Sequence, residues 1–206
     1  MAELKSLIKK TVIASFGAVA GLHLCSALTR DRKIDFKKIN IKSDKILKDN
    51  DGFTAVYITD IHYLSNDKLK KVIEKINNIY PDMLFIGGDF ADSHPLMSKQ
   101  VKLLSKVRTK ENSIFAVDGN HEIYTIYRQE LDINGIKYLH NEGLKIKEGI
   151  YLCGIEDYRR RQPDLKKALR DSEKDDFVIM LSHNPDAAMM EDAKDIELML
   201  SGHTHG

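Results

Sequence analysis

The stretch IELMLSGHTHG (196–206) decides the fold, because an apolar run of five residues leads directly into a loop that carries two histidines. Ser201 and Gly202 end the run, and His203 and His205 follow with one residue between them. An apolar run of this length, bounded by a small polar residue and glycine, is typical of a buried strand. We therefore interpret it as a strand that delivers both histidines into a loop at its carboxyl end.

Four other short apolar runs end in the same way. They are TAVYI (54–58), MLFIG (83–87), SIFAV (113–117) and FVIML (177–181). The residues that follow them and can bind a metal ion are Asp60, His62, Asp89, Asn120 and His183, with His121 next to Asn120. In an open α/β sheet, the carboxyl ends of parallel strands share one edge, where ligands bind. We therefore expect the five loops to converge at a single sheet edge.

The segments between the runs predict helices. Apolar residues recur at helical spacing over 66–80, where Asn66 or Asp67 is placed to cap the first turn. Similar patterns predict helices over 95–110, 122–133 and 163–174. Alternation of strand and helix indicates an α/β fold with parallel strands. The segment 135–155, which ends in the run IYLCGI (150–155), interrupts this alternation and predicts antiparallel strands with glycine turns.

The strand-end residues predict a dinuclear metal site. They provide seven imidazole, carboxylate or amide donors, with His121 in addition, whereas one tetrahedral zinc takes about four. The seven are Asp60, His62, Asp89, Asn120, His183, His203 and His205. Two ions that share a bridging carboxylate account for the number, and Asp89 is the natural bridge. Asp60 and His62 need a bend to serve one ion, because alternate residues of an extended chain point to opposite sides. Taken singly, each residue is equally well explained as a helix cap, a turn residue or a hydrogen-bonded core histidine.

Composition excludes several other classes of protein. The chain has 206 residues with 32 Lys and Arg against 31 Asp and Glu, a net charge of +1, so no nucleic-acid partner is expected. Cys25 and Cys153 both lie in apolar runs and indicate neither a disulfide framework nor a thiolate metal site. Any metal must therefore be bound by histidine, aspartate and asparagine.

The N-terminal segment contains 19 consecutive uncharged residues at 11–29. This length is close to the roughly 20 apolar residues of a membrane span. A signal anchor and a cleavable signal peptide both fit the pattern, and a buried helix of the soluble domain is the remaining alternative. We expect residues 1–33 to form an N-terminal membrane anchor or signal segment, followed by one domain over 34–206.

Five motifs occur in a characteristic order: DIH (60–62), GGD (87–89), GNHE (119–122), SHNPD (182–186) and GHTH (202–205). The series resembles the calcineurin-like metallophosphoesterase superfamily, and within it a bacterial group of membrane-associated or exported phosphodiesterases. The resemblance extends from about Thr54 to Gly206. It implies a four-layer αββα sandwich with a dinuclear site at one sheet edge. Relatives continue beyond GHTH, so the C-terminal strands of the second sheet are expected to be missing.

The resemblance also implies a role for each site residue. One ion would be held by Asp60, His62 and His205, the second by Asn120, His183 and His203, and Asp89 would bridge them. His121 would not be a ligand, and would instead be the catalytic residue that contacts the phosphate and stabilises or protonates the leaving oxygen. The donor set suits Mn, Fe, Zn or Co.

The expected activity is metal-dependent hydrolysis of phosphoesters, specifically phosphodiesters, by a metal-bridging hydroxide that attacks phosphorus in line with the leaving group. A membrane segment would favour a lipid- or cell-envelope-linked substrate and a location at the bacterial envelope. Arg159, Arg160 and Arg161 are interpreted as a solvated loop, with phosphate or lipid headgroup contact as the alternative. The rival hypothesis for the whole chain is a non-catalytic scaffold or an inactive shortened relative.

Overall fold

The computed structural model describes residue 34 and residues 36–62, 64–91, 93–159 and 161–205. The described residues from Lys42 onward form one compact unit. The anchor or signal segment predicted at 1–33 lies outside the described residues. Within the described ranges, no helix combines the length and the hydrophobicity that a membrane crossing requires.

Two four-stranded sheets form the centre of the described structure. The first has the order β1 (Ala55–Ile58), β2 (Met83–Ile86), β3 (Ser113–Ala116) and β4 (Lys137–Tyr138), all parallel. The second has the order β5 (Glu142–Lys147), β6 (Ile150–Gly154), β7 (Phe177–Leu181) and β8 (Leu198–Leu200). In the second sheet β5 runs antiparallel to β6, and the other two pairs are parallel.

Helices connect the strands. The α-helices are α1 (Asn66–Ile79), α2 (His94–Leu104), α3 (Tyr124–Ile133) and the short α4 (Leu165–Ala168). Three 3-10 helices cover Lys48–Asn50, Pro185–Met189 and Glu191–Asp195. The alternation read from the sequence is therefore confirmed for the parallel strands and their crossover helices.

Three apolar cores separate four layers. Side chains alternate along β2, so that Leu84 and Ile86 pack under α1, α2 and α3, while Met83 and Phe85 face the second sheet. The core between the sheets is completed by residues such as Leu152 from the second sheet. A third core lies on the outer face of that sheet, under α4 and the last two 3-10 helices. The αββα sandwich implied by the resemblance is confirmed.

Two details of the helices differ from the predictions. Ser65 is the N-cap of α1, and its hydroxyl accepts from the Lys68 amide at 3.4 Å. Neither Asn66 nor Asp67 can serve as the cap, because both already belong to the helix. The predicted helix over 163–174 is wrong beyond α4, because the amides of Arg170 and Ser172 donate to carbonyls only three residues earlier, as in turns.

The prediction of a single sheet edge is also wrong. The five candidate loops follow β1, β2 and β3 in the first sheet and β7 and β8 in the second. The 135–155 segment explains the division. Its first strand, β4, ends the first sheet as a parallel strand, and its next two strands, β5 and β6, begin the second sheet as the expected antiparallel pair.

Candidate metal centre

Backbone amides donate hydrogen bonds that connect the loops within each sheet and across the two sheets. The amides of Asp60 and His62 donate to the carbonyls of Gly88 and Asp89, both at 3.2 Å. The Gly202 amide donates to the His183 carbonyl at 3.0 Å. The His203 amide then reaches across the sheets to the Asp60 carboxylate, 3.0 Å from each oxygen. Strand ends far apart in sequence therefore share one site.

One group of candidate ligands consists of Asp60, His62 and His205, whose donor atoms all lie within 4.8 Å of one another. The Nε2 atoms of His205 and His62 are 3.5 Å and 3.9 Å from Asp60 Oδ1. The two imidazole rings stack at a centroid distance of 5.0 Å. This arrangement matches the three ligands that the resemblance assigns to one ion.

A second group consists of Asp60, Asp89 and His183. His183 Nδ1 lies 2.8 Å from the Gly87 carbonyl oxygen, which can only accept, so Nδ1 carries the proton. In the neutral ring, Nε2 then presents a lone pair 3.2 Å from Asp89 Oδ2. These two electron-rich atoms repel each other at this distance unless a proton or a metal ion lies between them.

The pKa values of this pair show the same demand for positive charge. Burial lowers the pKa of His183, but the neighbouring Asp89 carboxylate outweighs it and raises the pKa to about 9. Burial raises the pKa of Asp89, yet His183 and the His121 amide reverse the effect and hold it below its usual value. A divalent cation would satisfy both groups without a proton.

Asp60 belongs to both groups. Asp89 belongs to the second group and also contacts the first. Its Oδ2 atom is 3.5 Å from His62 Nε2 as well as 3.2 Å from His183 Nε2. Its Oδ1 atom accepts the His121 amide at 3.0 Å. One carboxylate oxygen thus faces a histidine of each group, which is the position expected of a bridging ligand.

The remaining predicted ligands are Asn120 and His203. The Oδ1 atom of Asn120 is buried and has no hydrogen-bond partner among the described residues, although buried side-chain amide oxygens normally have one. The His203 ring contacts the His183 ring at a centroid distance of 5.2 Å, but His203 is not a member of either close group. The structure therefore brings six of the seven predicted ligands into contact, with His203 the least tightly grouped of the histidines. Asn120, the seventh, directly precedes His121, whose amide bonds to Asp89.

His121, the predicted catalytic residue, has a different environment from the ligands. Its ring packs edge-on against His62 at a centroid distance of 5.3 Å, and the residue is exposed. The backbone of His121 is fixed to Asp89 Oδ1. An exposed imidazole held beside a buried site can reach a bound substrate.

The backbone at the site is unusually bent. Among the described residues, left-handed φ angles occur at Asp60, His62, Asp89, His203 and His205. Such angles are uncommon outside glycine, and aspartate and histidine are among the residues that tolerate them best. They supply the bend that Asp60 and His62 were predicted to need. The loops are also closely packed, since a Cβ at Gly119 would collide with the Asp89 carboxylate.

Sequence reasoning missed two residues that support the site. The Glu122 carboxylate is buried and accepts the amides of Gly119 (2.6 Å), Phe90 (2.7 Å) and Asp89 (3.1 Å). Arg161 was interpreted as part of a solvated loop, but its side chain is only 26% exposed and lies 3.1 Å from Asp118. In the GNHE motif Glu122 looks like an acid near the start of a helix, so the sequence does not identify its distant amide partners. No sequence signal singles out Arg161.

Two other histidines lie apart from the metal centre. His94 pairs with Glu130 at 3.1 Å on the surface, and His140 pairs with Glu156 at 2.8 Å. Arg159 pairs with Asp186 at 2.6 Å in an exposed position, as expected of a solvated loop. Arg160 lies outside the described residues.

A family model described as "Calcineurin-like phosphoesterase" matches residues 53–206. The chain belongs to this family. The match covers every predicted ligand, and the donor set of imidazole, carboxylate and amide groups fits divalent transition metals. The chain therefore carries a phosphoesterase domain with candidate ligands for divalent metal ions.

Several curated phosphoesterase-family proteins are similar to the chain. A zebrafish (Danio rerio) "Transmembrane protein with metallophosphoesterase domain" is 30% identical over 97% of this chain and 49% of its own length. An "Uncharacterized metallophosphoesterase" of Helicobacter pylori is 34% identical over 80% of this chain and 46% of its own. The "Uncharacterized metallophosphoesterase YkuE" of Bacillus subtilis is 30% identical over 84% of this chain and 65% of its own. The chain thus spans about half the length of the first two relatives and about two thirds of the third.

Proposed function

We propose that this protein hydrolyses phosphodiesters at a dinuclear metal centre. The observation that carries the proposal is the position of Asp89 Oδ2, which faces His62 Nε2 at 3.5 Å and His183 Nε2 at 3.2 Å. Membership of the phosphoesterase family supports the same reaction class. The identity and number of the ions and the diester preference are part of the proposal.

Two sets of side chains would hold the ions. One ion would be held by Asp60, His62, His205 and Asp89, and the other by Asp89, Asn120, His183 and His203. When bound, a pair of divalent cations lowers the pKa of water and neutralises the charge of a phosphate group. The buried Asn120 oxygen would then gain the partner that the described residues do not provide.

His121 has the task of serving the leaving group. Its ring is exposed beside His62, so it can contact a phosphoester without being a metal ligand. A protonated imidazole there would donate a hydrogen bond or its proton to the leaving oxygen as the ester bond breaks. The hydrogen bond from the His121 amide to Asp89 Oδ1 keeps this ring in register with the centre.

The test combines turnover with metal analysis of the full chain. We expect Mn²⁺-dependent hydrolysis of bis(p-nitrophenyl) phosphate. Asp89→Ala should lose bound metal and turnover, whereas His121→Ala should keep the metal and lose about 10²–10⁴-fold in kcat on the corresponding phenyl diester, whose more basic leaving group depends on proton donation. Asp67→Ala, at an exposed acid on α1, is the matched control and should behave as wild type. Retention of metal in Asp89→Ala and its loss in His121→Ala would reverse the assigned roles.

The rival hypothesis of a non-catalytic scaffold predicts a different outcome in the same experiment. A scaffold would bind two ions but would hydrolyse neither phosphomonoesters nor phosphodiesters. The exposed His121 ring and the intact set of candidate ligands favour the enzyme.

The location and the substrate class form a separate part of the proposal. Two similar proteins are named transmembrane proteins, and residues 11–29 of this chain carry no charge. We therefore propose association with the bacterial envelope and a lipid- or envelope-linked phosphoester as substrate. Hydrolysis of a phospholipid diester in vesicles by the full chain, but not by a chain with Leu-to-Lys changes at 22 and 24, would support it. Equal rates for both chains would contradict it.

A further inference from the structure

One arginine joins the second sheet to the loop that carries His121. Arg161 lies in the connection between β6 and α4. Its Nε donates to Asp118 Oδ2 at 3.1 Å, and its Nη2 donates to the Glu122 carbonyl oxygen at 2.8 Å. Asp118 and Glu122 stand at the two ends of the segment DGNHE (118–122). A single guanidinium therefore contacts both ends of the segment that bears Asn120 and His121.

The segment is fixed independently on its other side. There the Glu122 carboxylate accepts amides from Asp89, Phe90 and Gly119, so that the segment is attached to the loop after β2. Only the first sheet takes part in these bonds. Arg161 supplies the contact with the second sheet, and its own amide is held by the Asp157 carbonyl at 3.1 Å.

The contact between Arg161 and Asp118 is formed inside the protein. Asp118 is completely buried, and the Arg161 side chain is 26% exposed. Removal of the cation from a buried ion pair leaves an uncompensated charge inside the protein, which is strongly unfavourable. Arg159, two residues earlier, forms its pair with Asp186 while its own side chain is 67% exposed. The side chain of Arg161 is therefore held in the protein interior, whereas that of Arg159, in the same loop, remains exposed to solvent.

We propose that Arg161 is a positioning residue for His121. It acts through the Asp118 side chain and the Glu122 carbonyl, and it fixes the distance from the His121 ring to the leaving oxygen of the substrate. The proposal rests on the proposed function to the extent that it assigns His121 to the leaving group.

The forked geometry explains why arginine is required. A guanidinium presents Nε and Nη2 in a rigid plane, so it can reach a carboxylate and a carbonyl at once. A lysine at position 161 keeps the charge that Asp118 needs but offers one nitrogen on a flexible stem. Arg161→Lys should therefore fold and bind metal, because the Glu122 carboxylate still attaches the segment to the loop after β2, while the His121 ring loses its exact position. Displacement of a catalytic group by about 1 Å can cost on the order of 10²-fold in rate.

The kinetic test compares leaving groups in full-length Arg161→Lys and Arg159→Lys. Phenyl esters need more help from His121 than p-nitrophenyl esters, because phenoxide is the more basic leaving group. Arg161→Lys should lower kcat about 10–100-fold for the phenyl ester and no more than about threefold for the p-nitrophenyl ester. KM and metal content should stay within about twofold, and Arg159→Lys should match wild type. His121→Ala with Arg161→Lys should be no slower than His121→Ala alone, because both changes remove the same contribution.

Equal losses on the two esters, or additive losses in the double variant, would overturn the proposal. A readout independent of turnover is hydrogen exchange of the peptide covering 118–123. Exchange should be faster in Arg161→Lys and unchanged in Arg159→Lys. A wild-type chain without turnover would refute the proposed function and leave the exchange measurement to decide on Arg161. Unchanged exchange in Arg161→Lys would then refute the positioning role.

Discussion

Two clusters of buried acids lie side by side at the strand ends, and they differ in the groups that surround their carboxylates. In the support cluster, Asp118 and Glu122, the carboxylates receive donors from the chain itself, namely Arg161 and three backbone amides. In the metal cluster, Asp60 and Asp89, the outer sides are likewise held by amides, but the inner sides face histidine nitrogens.

The contrast separates a structural acid from a ligand. The Glu122 carboxylate accepts three amides and needs no added ion, and Asp118 Oδ2 is paired with the Arg161 guanidinium. The Asp89 carboxylate faces His183 Nε2, which carries no proton in the neutral ring, so this pair needs a cation. The support cluster fixes the loops. The metal cluster lacks positive charge, which two metal ions would supply.

The largest effect on stability is expected in the support cluster. Glu122→Ala leaves three buried amides without an acceptor, which should reduce the free energy of unfolding of the metal-free chain by roughly 3–5 kcal/mol. Asp89→Ala removes one amide partner and should cost less. Urea denaturation measures both, with Glu74→Ala on the exposed face of α1 as the control. A larger loss for Asp89→Ala than for Glu122→Ala would break the comparison.

Titration of Glu122 should contribute to the pH dependence of the free energy of unfolding. Burial first, and the Asp89 charge second, raise the pKa of Glu122 from 4.5 to about 7. The folded chain therefore binds a proton more tightly than the unfolded chain, so this contribution is complete below about pH 4.5 and is lost as pH rises through about 7. The difference amounts to about 3 kcal/mol. Glu122→Gln, which cannot titrate, should flatten the metal-free stability profile in this window, and an unchanged slope would contradict the assignment.

Added metal should stabilise the chain through the other cluster. A single bound ion at 100 times its Kd contributes about 2.7 kcal/mol. Thermal unfolding with and without Mn²⁺ should show this gain for wild type and most of its loss for His183→Ala. His94→Ala, which removes a histidine paired with Glu130 on the surface, should retain the gain. Equal stabilisation of the two variants would place the ion outside the metal cluster.

A smaller effect is expected where the two sheets meet. A Cβ at Gly202 would collide with the side chains of Thr59 and Asp60. Gly202→Ala should displace the Asp60 carboxylate and cost about 1–2 kcal/mol of stability. Mn²⁺ affinity should fall more than stability does, because a ligand has moved. Isothermal titration would contradict this if the affinity were unchanged.

Much of the site could be predicted because its ligands follow strand ends. The apolar runs locate the strands, and the polar residues after them locate the loops, so Asp60, Asp89 and His183 could all be expected near one another. The division into two sheets does not follow from such patterns. It depends on β4 ending one sheet and β5 starting the next, within a segment where both look like short strands.

The support cluster could not be predicted for a different reason. Glu122 looks like an acid near the start of a helix, and Arg161 looks like any basic residue in a polar loop. Their roles depend on contacts between positions 33 and 39 residues apart in sequence, from Glu122 to Asp89 and from Arg161 to Glu122. Such pairs are set by tertiary packing, so local pattern carries no trace of them.

The most direct test of the dinuclear centre is the anomalous diffraction of crystals of the full chain soaked in Mn²⁺. We predict two peaks, one on each side of the Asp89 carboxylate, with Asp60, His62 and His205 around one and Asn120, His183 and His203 around the other. A single peak, or peaks away from Asp89, would contradict the account.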